Sequence, residues 1–140
     1  MNVVAITARI LLGLLFVVAG GSDFLISSTP PQPGLAGQFD ALFFQSHWVL
    51  FLGAAQLTLG ALLLVNRFVP VALIMLAAFL YNSFGFHITT SPSALWAPAI
   101  CTVLGLIVAR PYRGLVPLIF AANAQVTDSP EPGVRTVRAA

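Results

Sequence analysis

The sequence predicts an all-α integral membrane protein, a four-helix transmembrane bundle with both termini cytoplasmic. Three observations predict it. The 140 residues are 59% hydrophobic and only 7% charged. The apolar residues gather into four long stretches, and the arginines that separate them all fall on one side if the chain crosses four times. The mean hydropathy of +0.97 is far from a soluble domain, in which roughly 45–50% of residues are apolar.

A membrane helix needs roughly 20 apolar residues at about 1.5 Å of rise each. The first stretch, residues 3–27, is interrupted by Arg9 and Asp23. A proline- and glycine-rich loop, residues 29–38, follows it, and then residues 39–46 alternate apolar and polar as a short interfacial helix would. The second and third stretches, residues 48–65 and 68–88, are joined by a tight connection at Asn66 and Arg67; the fourth, residues 94–109, is the shortest. Residues 1–121 thus form the membrane domain. Residues 122–140, polar and proline-containing, read as a disordered cytoplasmic tail. The first 21 residues also resemble a secretory signal, but three further apolar stretches follow where a signal would deliver a soluble domain.

Arginine sets the orientation. Arg9, Arg67, Arg110 and Arg113 share one side, and the loops left on the other side carry Asp40 and no arginine, which places the termini inside. This implies a multi-pass membrane protein, with the lipid bilayer as its first partner. A net charge of +2 is too small and scattered for a nucleic-acid partner. Cys101 is the only cysteine, which excludes an intramolecular disulfide, a CxxC redox pair and a cysteine zinc site. No metal-ligand spacing is present.

Polar groups inside a bilayer need a partner, a cavity or the bundle interior. With Arg9 and Arg67 as surface marks, Gln56 lies about 16 Å deep, Asp23 and Asn82 about 21–22 Å, and His47 and His87 about 30 Å, at the far rim. Spacing predicts facing. Gly13, Phe16, Gly20 and Asp23 form one narrow helical stripe, and Gly53, Gln56 and Gly60 form another. Glycine stripes mark close helix contact in membranes, so Gly13, Gly20, Gly53 and Gly60 are expected at helix interfaces, with Asp23 and Gln56 pointing inward. Met75, Ala78, Asn82 and Gly85 make a third stripe, which places Asn82 inward as well. His87, five residues beyond Asn82, is rotated from it by about 140° on a straight helix.

Taken singly, Gln56 and Asn82 read as interhelical hydrogen-bonding residues worth about 1 kcal/mol each, and His87 as an interfacial ring. Together, Asp23, Gln56, Asn82 and His87 are candidates for a ligand or proton site. An acid and an imidazole above two amides suit a quinone, which needs donors at its carbonyls and a proton route on reduction. Haem ligated by His47 and His87 is the weaker reading.

Residues 8–25 (ARILLGLLFVVAGGSDFL), residues 53–87 (GAAQLTLGALLLVNRFVPVALIMLAAFLYNSFGFH) and the RPYRG cluster at residues 110–114 together resemble the DoxX family of small four-span bacterial membrane proteins. The resemblance implies a four-helix bundle and a membrane subunit of a quinone-linked oxidoreductase system, with a redox partner subunit. The resemblance also implies a bacterial inner membrane. The alternative to this first reading is a non-catalytic small-molecule carrier or assembly protein, and the sequence leaves a homo-oligomer open. The sequence departs from the family at two positions: a basic residue is common where Asp23 stands, and an acidic one where Gln56 stands.

Overall fold

Glycines seven residues apart decide how the helices meet. Gly13 and Gly20 lie on α1 (Val3–Leu25), and Gly53 and Gly60 on α3 (Trp48–Leu64). A β-carbon at Gly20 would stand 2.6 Å from the Gly53 carbonyl oxygen, and one at Gly60 would stand 2.7 Å from that of Gly13. Neither distance is tolerable, so the two backbones approach as only glycine permits. The pairing is antiparallel, and residues whose numbers add to 73 lie level.

The computed structural model describes residues 3–28 and 33–119, and every regular element among them is helical. The expected tail at 122–140 and the loop residues 29–32 lie outside the described residues. After α1 come α2 (Gly34–Gln45), α3, α4 (Val69–Thr90), a 3₁₀ turn (Pro92–Ala94), α5 (Trp96–Ala109), a second 3₁₀ segment (Arg110–Leu115) and the single turn α6 (Val116–Ile119). α1, α4 and the run Pro92–Leu115 are long and apolar enough to cross a membrane. α3 is shorter and joins α2 through an 85° bend, so the pair counts as a fourth crossing only when taken together. These lengths are compatible with an all-α membrane bundle.

α2 begins at Gly34, earlier than the interfacial helix expected from residue 39, because Pro33 is extended and the chain can coil immediately after it. The stacked rings of Phe39 and Phe43 lie along α2, and Phe39 reaches the Phe86 ring of α4, with centroids 4.9 Å apart. α2 therefore lies over the His87 end of the bundle.

The register of α1 on α3 brings Arg9 level with Leu64, at the C-terminus of α3. Helices leave their last carbonyls unpaired, with a partial negative charge there. Asn66, at φ 56°, closes the end: its N–H donates to the Leu63 carbonyl and that of Arg67 to the Leu62 carbonyl, the pattern of a Schellman cap. Arg9 completes it, its Nη1 donating to the carbonyls of Leu63 and Leu64. Arg9 is 7% exposed. It is thus no surface mark, and the depth scale drawn from it needs correcting.

Around this pair, Leu12 and Phe16 of α1, Leu59 and Leu63 of α3, Val69, Ala72, Leu76 and Leu80 of α4, and Val108 of α5 form one core. The Phe16 ring meets that of Phe79 edge-on at 5.1 Å, tying α1 to α4. Cys101 is half-buried against the core. Of the most apolar 18 residues, 39% are buried in α1 but only 17% in α4, so α4 keeps a wide face that the described residues do not cover.

Two outcomes follow for stability in detergent. Gly20→Ala should lower unfolding stability by more than about 2 kcal/mol, whereas the neighbouring Gly21→Ala, whose β-carbon meets nothing within 4 Å, should leave it unchanged or slightly raised. Arg9→Leu should cost about 2 kcal/mol by orphaning the Leu64 carbonyl, since that of Leu63 keeps the Asn66 N–H, with Arg9→Lys losing less; denaturant unfolding of each variant measures both.

Candidate functional site

α4's inward face is defined by its buried residues Val69, Ala72, Leu76 and Leu80. His87 is seven residues beyond Leu80, close to two full turns, and so lies on that same inward face. Asn82, two residues beyond Leu80, lies on the opposite side and is exposed. This corrects the facing expected from the sequence. Ala78, Asn82 and Gly85 of the third stripe point away from the bundle while Met75 packs against the core, and the large leucines point in, where Leu76 fills the space over Gly105 of α5. Asn82 tolerates exposure because its Nδ2 donates to the Ala78 carbonyl of its own helix, at 2.9 Å.

Asp23 and Gln56 both border the crossing of Gly20 and Gly53. The Asp23 Cβ lies 2.8 Å from where a Gly53 side chain would begin, and the Gln56 Cβ lies 2.9 Å from the equivalent point at Gly20. Because Cα–Cβ bonds lean toward helix N-termini, and α1 and α3 are antiparallel, the two side chains lean toward one another from about 9 Å apart along the axis. Gln56 is 7% exposed.

Heights can be read again from the contacts. Phe16 beside Phe79 makes residue n of α1 level with residue n+63 of α4. Val69, the first residue of α4, is then level with Ile6, a turn below Arg9. Measured from Val69, Gln56 stands about 16 Å up, Asn82 about 20 Å, and Asp23 and His87 both about 26–27 Å. Asp23 thus rises to the height of His87.

These inward-facing residues share a second property. Among the described residues, Asp23 Oδ2, Gln56 Oε1 and His87 Nδ1 are buried with no hydrogen-bond partner. Arg9 Nε is a fourth such atom, at the opposite end. Native interiors leave few polar atoms in this state, and each costs about 1–3 kcal/mol. Three on inward faces of α1, α3 and α4, from the middle of the bundle to its His87 end, are a concentration of unmet hydrogen-bonding capacity.

His47 takes no part in this group. It is exposed at the N-cap of α3, with φ 57°, whereas His87 faces inward with its ring edge-on to Phe86. Among the described residues no three His, Cys, Asp or Glu gather as a metal site would require. A separate groove of about 370 Å³ opens between α4 and α5, lined by Leu73, Leu76, Leu80, Tyr81, Phe84 and Thr102 among others. It is apolar and contains none of the four candidate residues.

Besides Asn82, Arg9 is a residue that sequence reasoning misplaced. The signal that could have located it is the register: once Gly13 is set against Gly60 and Gly20 against Gly53, Arg9 must meet the end of the second apolar stretch.

The fold and this site define a helical chain compatible with a multi-pass membrane protein. Comparison with protein-family models, with curated proteins and with solved structures finds no match to it.

If the unpaired Gln56 oxygen is a cost to the fold, an apolar replacement of similar volume removes that cost. Gln56→Met should therefore raise unfolding stability by about 1 kcal/mol, read as a higher denaturant midpoint with an unchanged slope.

Proposed function

We propose that this chain is a DoxX-like multi-pass protein of the bacterial inner membrane, with both termini cytoplasmic, serving as a membrane subunit of a quinone-linked oxidoreductase system. One observation carries the reading: the three buried, unpartnered polar atoms of Asp23, Gln56 and His87 on inward faces, the acid and the imidazole at one end of the bundle and the amide near its middle. Arg67, Arg110 and Arg113 at the other end support the orientation, which puts this site on the outer side.

The residues present suit a lipophilic ligand with oxygens at its edge. His87 Nδ1 can donate to a carbonyl or accept from a hydroxyl according to its tautomer. Asp23 Oδ2 can hold or release a proton at the same height, and Gln56 Oε1 accepts from a donor deeper in the bundle. Apolar walls supplied by Phe16 and Phe79 would keep water from a ring seated above them. A quinone would supply the two-electron chemistry when bound; the chain supplies orientation and a place for the protons.

A second reading, a non-catalytic carrier or assembly partner, draws on Asn82, which satisfies its own helix and points outward. Titration of purified protein with a short-chain quinone separates the two. Saturable binding is expected, weakened about tenfold or more by Asp23→Asn or His87→Phe and unaltered by Asn82→Ala. Absence of saturable binding, or binding indifferent to both inward substitutions, would overturn the redox reading in favour of the second.

A further inference from the structure

Small-residue stripes at helical spacing mark the places where membrane helices touch, and this chain has three of them. Those of α1 and α3 cover each other. On α4 the third runs outward from Ala78 through Asn82 and Gly85 and continues to Thr89, spaced four, three and four residues apart, all exposed and all facing away from the bundle, with Met75 left against the core. A β-carbon added at Gly85 meets nothing within 4 Å, so no neighbour among the described residues explains a helix-weakening glycine there.

Asn82 adds a chemical demand to this geometry. It stands about 20 Å above the first residue of α4, at hydrocarbon depth in a spanning helix about 30 Å long. Its Nδ2 donates to Ala78 and the Thr89 hydroxyl donates to Gly85. The Asn82 Oδ1 acceptor and the second amide hydrogen have no such partner among the described residues. Lipid chains offer neither a donor nor an acceptor, so a polar amide on the outer face of a span calls for a second polar surface.

We infer that this stripe is a self-association surface, on which α4 of a second copy of this chain packs in parallel about a two-fold axis normal to the membrane. Copies inserted with one topology present α4 in the same direction. A two-fold axis then sets Asn82 against Asn82 and Gly85 against Gly85 without further specification. A primary amide carries both donor and acceptor, so it is complementary to itself. Ala78 and Gly85, each one turn from Asn82, let the backbones close to the distance that this pairing needs.

Light scattering of the full chain in mild detergent, across a range of protein-to-detergent ratios, tests the inference. Wild type should have twice the 14.8 kDa chain mass. Asn82→Ala should weaken the dimer about tenfold, Gly85→Leu should leave monomer, and Asn82→Gln should restore association. Both disrupted positions are exposed, so helicity and unfolding midpoint of the monomer should be retained, which separates lost association from lost folding. In a Cys101→Ala background, Gly85→Cys should form a disulfide with its own copy under mild oxidant, while inward Ser83→Cys should not. A monomeric wild type, a dimer indifferent to Gly85→Leu, or cross-linking of Gly85→Cys only to a different protein would each overturn it.

Discussion

The backbone contact of α1 with α3 at the two glycine pairs is the constraint from which the other features follow. Glycine at 13, 20, 53 and 60 removes the side chains that would hold the helices apart, and the equal spacing of the pairs permits one antiparallel register. That register carries Arg9 to the end of α3 and brings Asp23 and Gln56 to either side of the second crossing. A shift of one residue would present side chains where the glycines now stand and would withdraw the guanidinium from the carbonyls it caps.

Arg9 shows how a charge that looks superficial can be a structural component. The last carbonyls of α3 form a partial negative charge that has no water beside it when the helix end is covered. A buried guanidinium there costs desolvation, which is offset because it donates to two carbonyls at once. Its Nε remains unpaired, so the site is incompletely satisfied even so. The α3–α4 turn, closed by Asn66 in the left-handed region, belongs to the same local structure and fixes where α4 begins.

The other polar residues divide into two groups by face. Asp23, Gln56 and His87 point inward with atoms unpaired, an arrangement that costs stability and is retained where a ligand or proton has use for it. Asn82 points outward and is partly satisfied by its own helix. An inward polar group bears on what the bundle encloses, and an outward one on what the bundle touches. The five residues between Asn82 and His87 separate these two roles on one helix.

By itself the sequence determined the helical class, the positions of the long apolar stretches and the glycine stripes of the first two, because these depend on local composition and on the 3.6-residue period alone. The inward facing of Asp23 and Gln56 was legible for the same reason: each shares a stripe with glycines that have one plausible use. Tertiary structure alone decided the rest. The stripe containing Ala78, Asn82 and Gly85 has the same spacing as the others, and periodicity cannot say whether a contact face meets its own chain or another molecule. Only the packing of Leu76 and Leu80 against α5 and the core shows that it turns outward and His87 inward. Arg9 was equally ambiguous, since an arginine near a helix start reads as a surface mark until register places a helix end beside it. Depth measured from that mark was short by a turn, because the reach of a side chain between helices is a property of their relative height, which no single helix encodes.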